Sequence, residues 1–214
     1  MRAAWYERQG PAREVLEVGD LPDPHPAAGE VRVRVSYSGI NPGDVKKRGD
    51  WLGFGMAYPR VIPHSDGAGE IDAVGAGVPS SRLGERVWVH GAQSYRPFGT
   101  AAEYAVVPAT QAVQLPVGLD LAQGACLGIP AITAHRAVFA DGAVEGLTLL
   151  VAGAAGAVGS MAVQLAAWGG ARVVGTVTRL EQFDAVRDAG AEHVFLLGRE
   201  NLVEEIREVA PTGV

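Results

Sequence analysis

The sequence predicts an α+β chain of two domains. Short strands form a compact β-barrel or sandwich, and strands alternating with helices then build a parallel sheet. Three observations point there. Up to Leu119, Gly and Pro cut the chain into short apolar runs. Beyond it, apolar runs of strand length alternate with segments of helical length. Between the first such strand and helix stand glycines at a regular spacing. The change of pattern sets the domains at 1–118 and 119–214.

The elements follow in chain order. "PDPHPAAG" (22–29) is a turn-rich loop, and "EVRVRVSYS" (30–38) alternates, with Val31, Val33 and Val35 on one face of a half-buried strand. "AGEIDAVGAGV", "GERVWVH" and "GTAAEYAVVP" read as three more strands. "DLAQGACLGIPAITAHRAVFA" is helical, N-capped by Asp120 and broken around Gly128–Pro130. Strands are then expected at Leu147–Gly153, Arg172–Val177 and His193–Leu197. The helices "AVGSMAVQLAAWG", "RLEQFDAVRDAG" and "ENLVEEIREVA" follow them in turn.

Composition excludes several function classes. Of 214 residues, 48% are hydrophobic and 20% charged, the balance of a soluble globular protein. The net charge is −6 and no basic tract stands out, which argues against a nucleic-acid partner. The single cysteine, Cys126, excludes an intrachain disulfide framework and a Cys-rich zinc site, and fits a reducing, cytoplasmic setting. "MRAAWYERQGPAREVLEV" carries charges throughout and lacks the apolar core of a signal peptide. The 29 glycines exceed the usual share of roughly 7% but are not periodic.

The charge-free run from Leu147 to Ala171 is long enough to span a bilayer. It contains Thr148, Ser160, Gln164 and many glycines, and it divides into a strand, a turn and a helix. A loop that holds a ligand, with no membrane span, is therefore expected. "GAAGAVG" places Gly153, Gly156 and Gly159 at G-x-x-G-x-x-G spacing, with Ala155, Ala157 and Val158 between them. The first glycine permits a tight turn, the middle of the loop admits a diphosphate to the backbone, and the last lets the helix sit on the strand. The helix N-terminus offers unpaired N–H groups to the phosphates. No G-K-[ST] follows, so a Walker-type loop is excluded. The next strand ends "TVTR", without the carboxylate that holds the ribose 2′-OH of NADH. Thr178 and Arg179 could bind a 2′-phosphate, which favours NADPH; alternatively Arg179 is a solvated residue at a helix start.

With these motifs in place, the chain resembles the zinc-independent quinone oxidoreductases, the zeta-crystallin-like branch of the medium-chain dehydrogenase/reductase superfamily. The resemblance rests on the opening "MRAAWYERQGPAREVLEV", the strand and N-P-x-D loop of "EVRVRVSYSGINPGD", and "IPHSDGAGEIDAVGAGV". It continues through "GIPAITAHRAVF" and "VAGAAGAVGSMAVQLAAWGGARVVGT". It implies a GroES-like β-barrel followed by a Rossmann α/β parallel sheet, and hydride transfer from NADPH to a small acceptor, a quinone or an activated alkene. A homodimer or homotetramer is expected of the complete protein. Asn41 is implied as the catalytic residue beside the nicotinamide; "NPGD" could equally cap a short helix, with Asp44 near its start. Thr133 is implied near the nicotinamide ring, or is a packing residue inside its helix. The Gly153–Gly159 loop is implied as the diphosphate contact. Solvent could protonate the product.

Metal is not expected. Catalytic zinc in the alcohol dehydrogenase relatives needs a cysteine where this chain has Ser38 to Asn41, and the five histidines show no ligand spacing, His64 reading as a loop residue. Two departures from the family are visible. Lys46 stands where many relatives carry tyrosine, and Asp184 aligns with a lysine that meets the 2′-phosphate. Only three strands of the parallel sheet are present, so the resemblance implies an incomplete Rossmann domain truncated at the C-terminus, with Leu147–Gly153 as an exposed edge. Reduction of enones or enoyl thioesters, or nucleotide binding without catalysis, are the alternative functions.

Overall fold

The computed structural model describes residues 1–214 as two compact units, Met1–Ile129 and Pro130–Val214.

The first unit holds β1 (Arg2–Trp5), α1 (Ala12–Val15), β2 (Glu17–Asp20), β3 (Glu30–Gly39), α2 (Pro42–Arg48), β4 (Asp66–Val74), β5 (Arg86–Val89), β6 (Tyr104–Pro108), β7 (Ala112–Gln114) and α3 (Leu121–Gly124). Five strands form a curled antiparallel sheet in the order β6-β3-β4-β5-β7, and β1 pairs with β2. The alternation in β3 explains its central place. Val31 and Val33 are fully buried against Ile71, Val87, Val89 and Val107. Each such burial is worth about 1.5–3 kcal/mol. The face rule fails at Val35, which is only half-buried, because the register slips between Val35 and Tyr37.

α2 starts as "NPGD" suggests. Asn41 is the N-cap, Pro42 fills the first helical position, and Asp44 Oδ2 accepts from the Asn41 N–H at 2.8 Å. Asp120 caps α3, accepting from the Gln123 N–H at 2.7 Å. The expected break around Gly128–Pro130 is displaced. The chain turns at 125–127, and α4 (Gly128–Phe139) begins at Gly128 with Pro130 in its first turn. There the missing N–H of proline costs nothing, because first-turn N–H groups have no helical partner.

In the second unit β8 (Thr148–Val151), α5 (Ala157–Trp168), β9 (Arg172–Val177), α6 (Phe183–Asp188), β10 (His193–Leu196) and α7 (Leu202–Val209) alternate as expected. The parallel sheet has the order β10-β9-β8. Val163 and Ala166 of α5 pack on Val173 and Val177 of β9, with Val186 and Val194 completing the core. β8 pairs with β9 alone and is an edge, with Leu150 40% exposed. No helix is long and apolar enough to cross a membrane.

Candidate functional site

The second unit carries the glycine turn. Gly153 takes a left-handed φ of 65°, the conformation that reverses the chain after β8. The Ala154 N–H donates to Thr176 O at 2.8 Å and fastens the turn to β9. Gly156 caps α5, its own N–H donating to Gly153 O at 2.9 Å. A Cβ on Gly159 would stand 2.2 Å from Gly153 O, so only glycine lets the first turn of α5 lie this close to the loop. The N–H groups of Ala155, Ala157, Val158 and Gly159 have no acceptor in the protein, and Gly156, Ala157 and Val158 are exposed. A row of free donors at a helix N-terminus is chemistry suited to a diphosphate.

The tip of β9 is shaped by a residue the sequence reading passed over. Gln182 Oε1 accepts from the backbone N–H of Thr178 and of Arg179, both at 3.2 Å. The Thr178 hydroxyl donates to the same oxygen at 3.4 Å. A glutamine three residues after a turn residue, as in a capping box, was the available signal. Arg179 Nε is 3.2 Å from Glu181, in an exposed pair that a phosphate could displace. Asp184 is exposed, 3.9 Å from Arg187.

The first unit holds Asn41, which is buried. Its Nδ2 donates to Asp66 Oδ2 at 2.8 Å, and the same carboxylate oxygen accepts from the Ile129 N–H at 2.7 Å. Asp66 Oδ1 has no partner. Burial pushes the Asp66 carboxyl above its usual range, opposed by the Ile129 and Asn41 hydrogen bonds. Burial raises Asp44 as well. Three residues before Asn41, Ser38 Oγ is 2.8 Å from both His64 Nδ1 and Thr100 Oγ1. His64 does lie in a loop, with a φ of 75°, and the bond to Ser38 was not foreseen. Burial lowers its pKa, with Asp44 acting in the opposite direction. Lys46 stacks its ammonium over the Trp51 ring at 4.2 Å.

The expected site residues thus fall into two groups. Asn41 stands in the first unit. Gly153, Ala155, Gly156, Ala157, Val158, Gly159, Thr178 and Arg179 come together at the ends of β8 and β9 in the second. Thr133, on α4 in the second unit, is exposed.

Comparison with known proteins gives the family. Residues 27–117 match the alcohol dehydrogenase GroES-like domain, and residues 157–214 match the zinc-binding dehydrogenase model. The quinone oxidoreductase of Rattus norvegicus is 36% identical over 207 residues, covering 96% of this chain and 61% of that protein. The chain belongs to the medium-chain dehydrogenase/reductase superfamily. Within it the curled antiparallel sheet is the GroES-like part and the three-stranded parallel sheet the Rossmann-like part. The Homo sapiens quinone oxidoreductase is 35% identical over 205 residues, covering 95% of this chain and 60% of that protein. The crystal structure of Escherichia coli quinone oxidoreductase complexed with NADPH aligns with a TM-score of 0.82 at 25% identity, covering 99% of this chain and 63% of that one. The chain therefore spans about three fifths of the length of these superfamily members.

Proposed function

We propose that this chain carries the NADPH-gripping and acceptor-side residues of a zinc-independent reductase acting on a quinone or a similar electron-poor acceptor. The observation that carries the reading is the turn from Gly153 to Gly159, with its unpartnered N–H donors, beside the end of β9, where Thr176 to Arg179 include no carboxylate. These residues fit the cofactor. The donors would hold the diphosphate, and Thr178 and Arg179, braced by Gln182, would hold the 2′-phosphate. Bound NADPH would supply the hydride. The protein would bind and align the reactants, and the role at the reacting ring falls to Asn41, its amide oriented by Asp66. The quinone oxidoreductases among its relatives favour a quinone as acceptor. The pairing of Ser38 with His64, and the absence of cysteine at 38–41, support chemistry without zinc.

Titration calorimetry tests the cofactor. NADPH should bind more tightly than NADH, and Arg179→Ala should weaken NADPH roughly tenfold while leaving NADH unchanged. Equal losses for both would remove Arg179 from the site. Purified protein should contain zinc well below one equivalent by elemental mass spectrometry, and dialysis against a chelator should leave quinone reduction unaltered.

A further inference from the structure

Three side chains near Asn41 form a directional line of hydrogen bonds. The Thr100 hydroxyl donates to the carbonyl oxygen of Asp66, which can only accept, so its one hydrogen is committed. Ser38 must then be the donor in its 2.8 Å contact with Thr100 Oγ1. With the Ser38 hydrogen used, the 2.8 Å contact between Ser38 Oγ and His64 Nδ1 is made by Nδ1–H donating to Ser38. Neutral His64 is thereby the Nδ1–H tautomer. Its Nε2 has no partner in the protein and keeps its lone pair free.

The backbone reinforces the placement. His64 holds a left-handed φ of 75°, an arrangement that L side chains rarely adopt. Its carbonyl accepts from the Thr100 N–H at 3.0 Å, and a Cβ on Gly99 would come 2.0 Å from that same oxygen. Ser38 is bonded to His64, and three residues after Ser38 the residue assigned to the reacting ring, Asn41, is bonded to Asp66, two residues after His64.

We propose that His64 is the proton donor of the reduction, delivering a proton from Nε2 to the acceptor oxygen. The proposal rests on the reductase reading above and supplies what that reading lacks. Hydride from NADPH adds two electrons to the quinone and leaves a hydroquinone monoanion. The Nε2–H bond of the imidazolium breaks, an O–H bond forms on the anionic oxygen, and the imidazole is left neutral, to be recharged from solvent. Ser38 and Thr100 are positioning residues: they hold Nδ1 so that Nε2 is the reactive nitrogen. The charged group facing His64 is Asp44 of α2, which favours the imidazolium against the larger effect of burial. Asp66, two residues on, turns its carboxylate to Asn41 and Ile129. Ser38 and Thr100 bring no charge.

Two measurements decide the matter. In the ligand-free chain, 15N NMR of the imidazole should show the Nδ1–H tautomer and a titration midpoint below 6.5, and Ser38→Ala should abolish the tautomer preference. An Nε2–H tautomer in the wild type overturns the proposal alone. In the second, His64→Asn, whose side chain tolerates the left-handed backbone, should lower kcat for quinone reduction about 100-fold. It should also erase the decline of rate with rising pH, while NADPH affinity stays within about twofold of wild type. Unchanged kcat and an unchanged profile in that variant would also overturn it. A wild-type chain that binds no NADPH sinks the reductase reading, and the proton transfer with it, whichever tautomer NMR reports.

Discussion

Gly159 and Asp66 show how single positions shape each unit. Gly159→Ala would drive a methyl to 2.2 Å from the Gly153 carbonyl oxygen, so the turn must open. A stability loss of about 1–3 kcal/mol in urea unfolding is expected, accompanied by weaker NADPH binding. An unchanged midpoint would show that the loop yields freely. Asp66→Ala leaves Asn41 Nδ2 and the Ile129 N–H without their acceptor, at about 1–3 kcal/mol for the buried Asn41 donor and less for the part-buried Ile129 N–H. Asp66→Asn keeps an acceptor and removes the buried charge. Because burial raises the folded-state pKa of Asp66, its contribution to stability is complete below 3.8 and is lost as pH rises through the raised value. The deficit of Asp66→Asn relative to wild type should therefore shrink from pH 3.8 towards neutrality, measured as urea midpoints across that range. His64 and His90 have lowered pKa values and act oppositely: they support the fold above 6.5 and withdraw that support as pH falls through the lowered values. A deficit that grew with pH would mean that Asp66 is better paired as an anion than its unpartnered Oδ1 indicates.

At the scale of elements, β9 lies between two strands and β8 has one neighbour. Hydrogen exchange should find the β9 amides the slowest in the second unit and those of β8 faster, notably on the side away from β9. Equal protection would show that the open side of β8 is covered in solution. β8, α5 and β9 were legible in the sequence because apolar runs stand on either side of a helical pattern and glycine marks the join. β7, only Ala112–Gln114, and the β1–β2 pair are too short to show alternation and were passed over. The start of α4 misled for a different reason. Pro130 reads as a breaker, but the first helical turn has no use for its N–H, and the room at Gly128 is set by Asp66, whose Oδ1 would be 2.1 Å from an added Cβ. Gly128→Ala is expected to displace that carboxylate and loosen Asn41, observable as a shifted side-chain amide resonance.

Across the whole molecule, what could be read from sequence divides by separation along the chain. The glycine turn is contiguous, so its spacing, with a strand before it and a helix after it, exposed it. The line from His64 through Ser38 to Thr100 joins residues 26 and 62 positions apart, and no local pattern records it. The same holds for Asn41 and Asp66, 25 apart, whose bond depends on β3 pairing with β4. The left-handed backbone at His64 carries a consequence for anyone improving this protein by selection. Glycine at 64 would relax the chain there, and a screen on heat resistance alone would reward it. A screen on turnover would reject the same substitution. Position 64 is where the two pressures should separate most cleanly: a library sorted once for robustness and once for rate should diverge there before it diverges in the valine core.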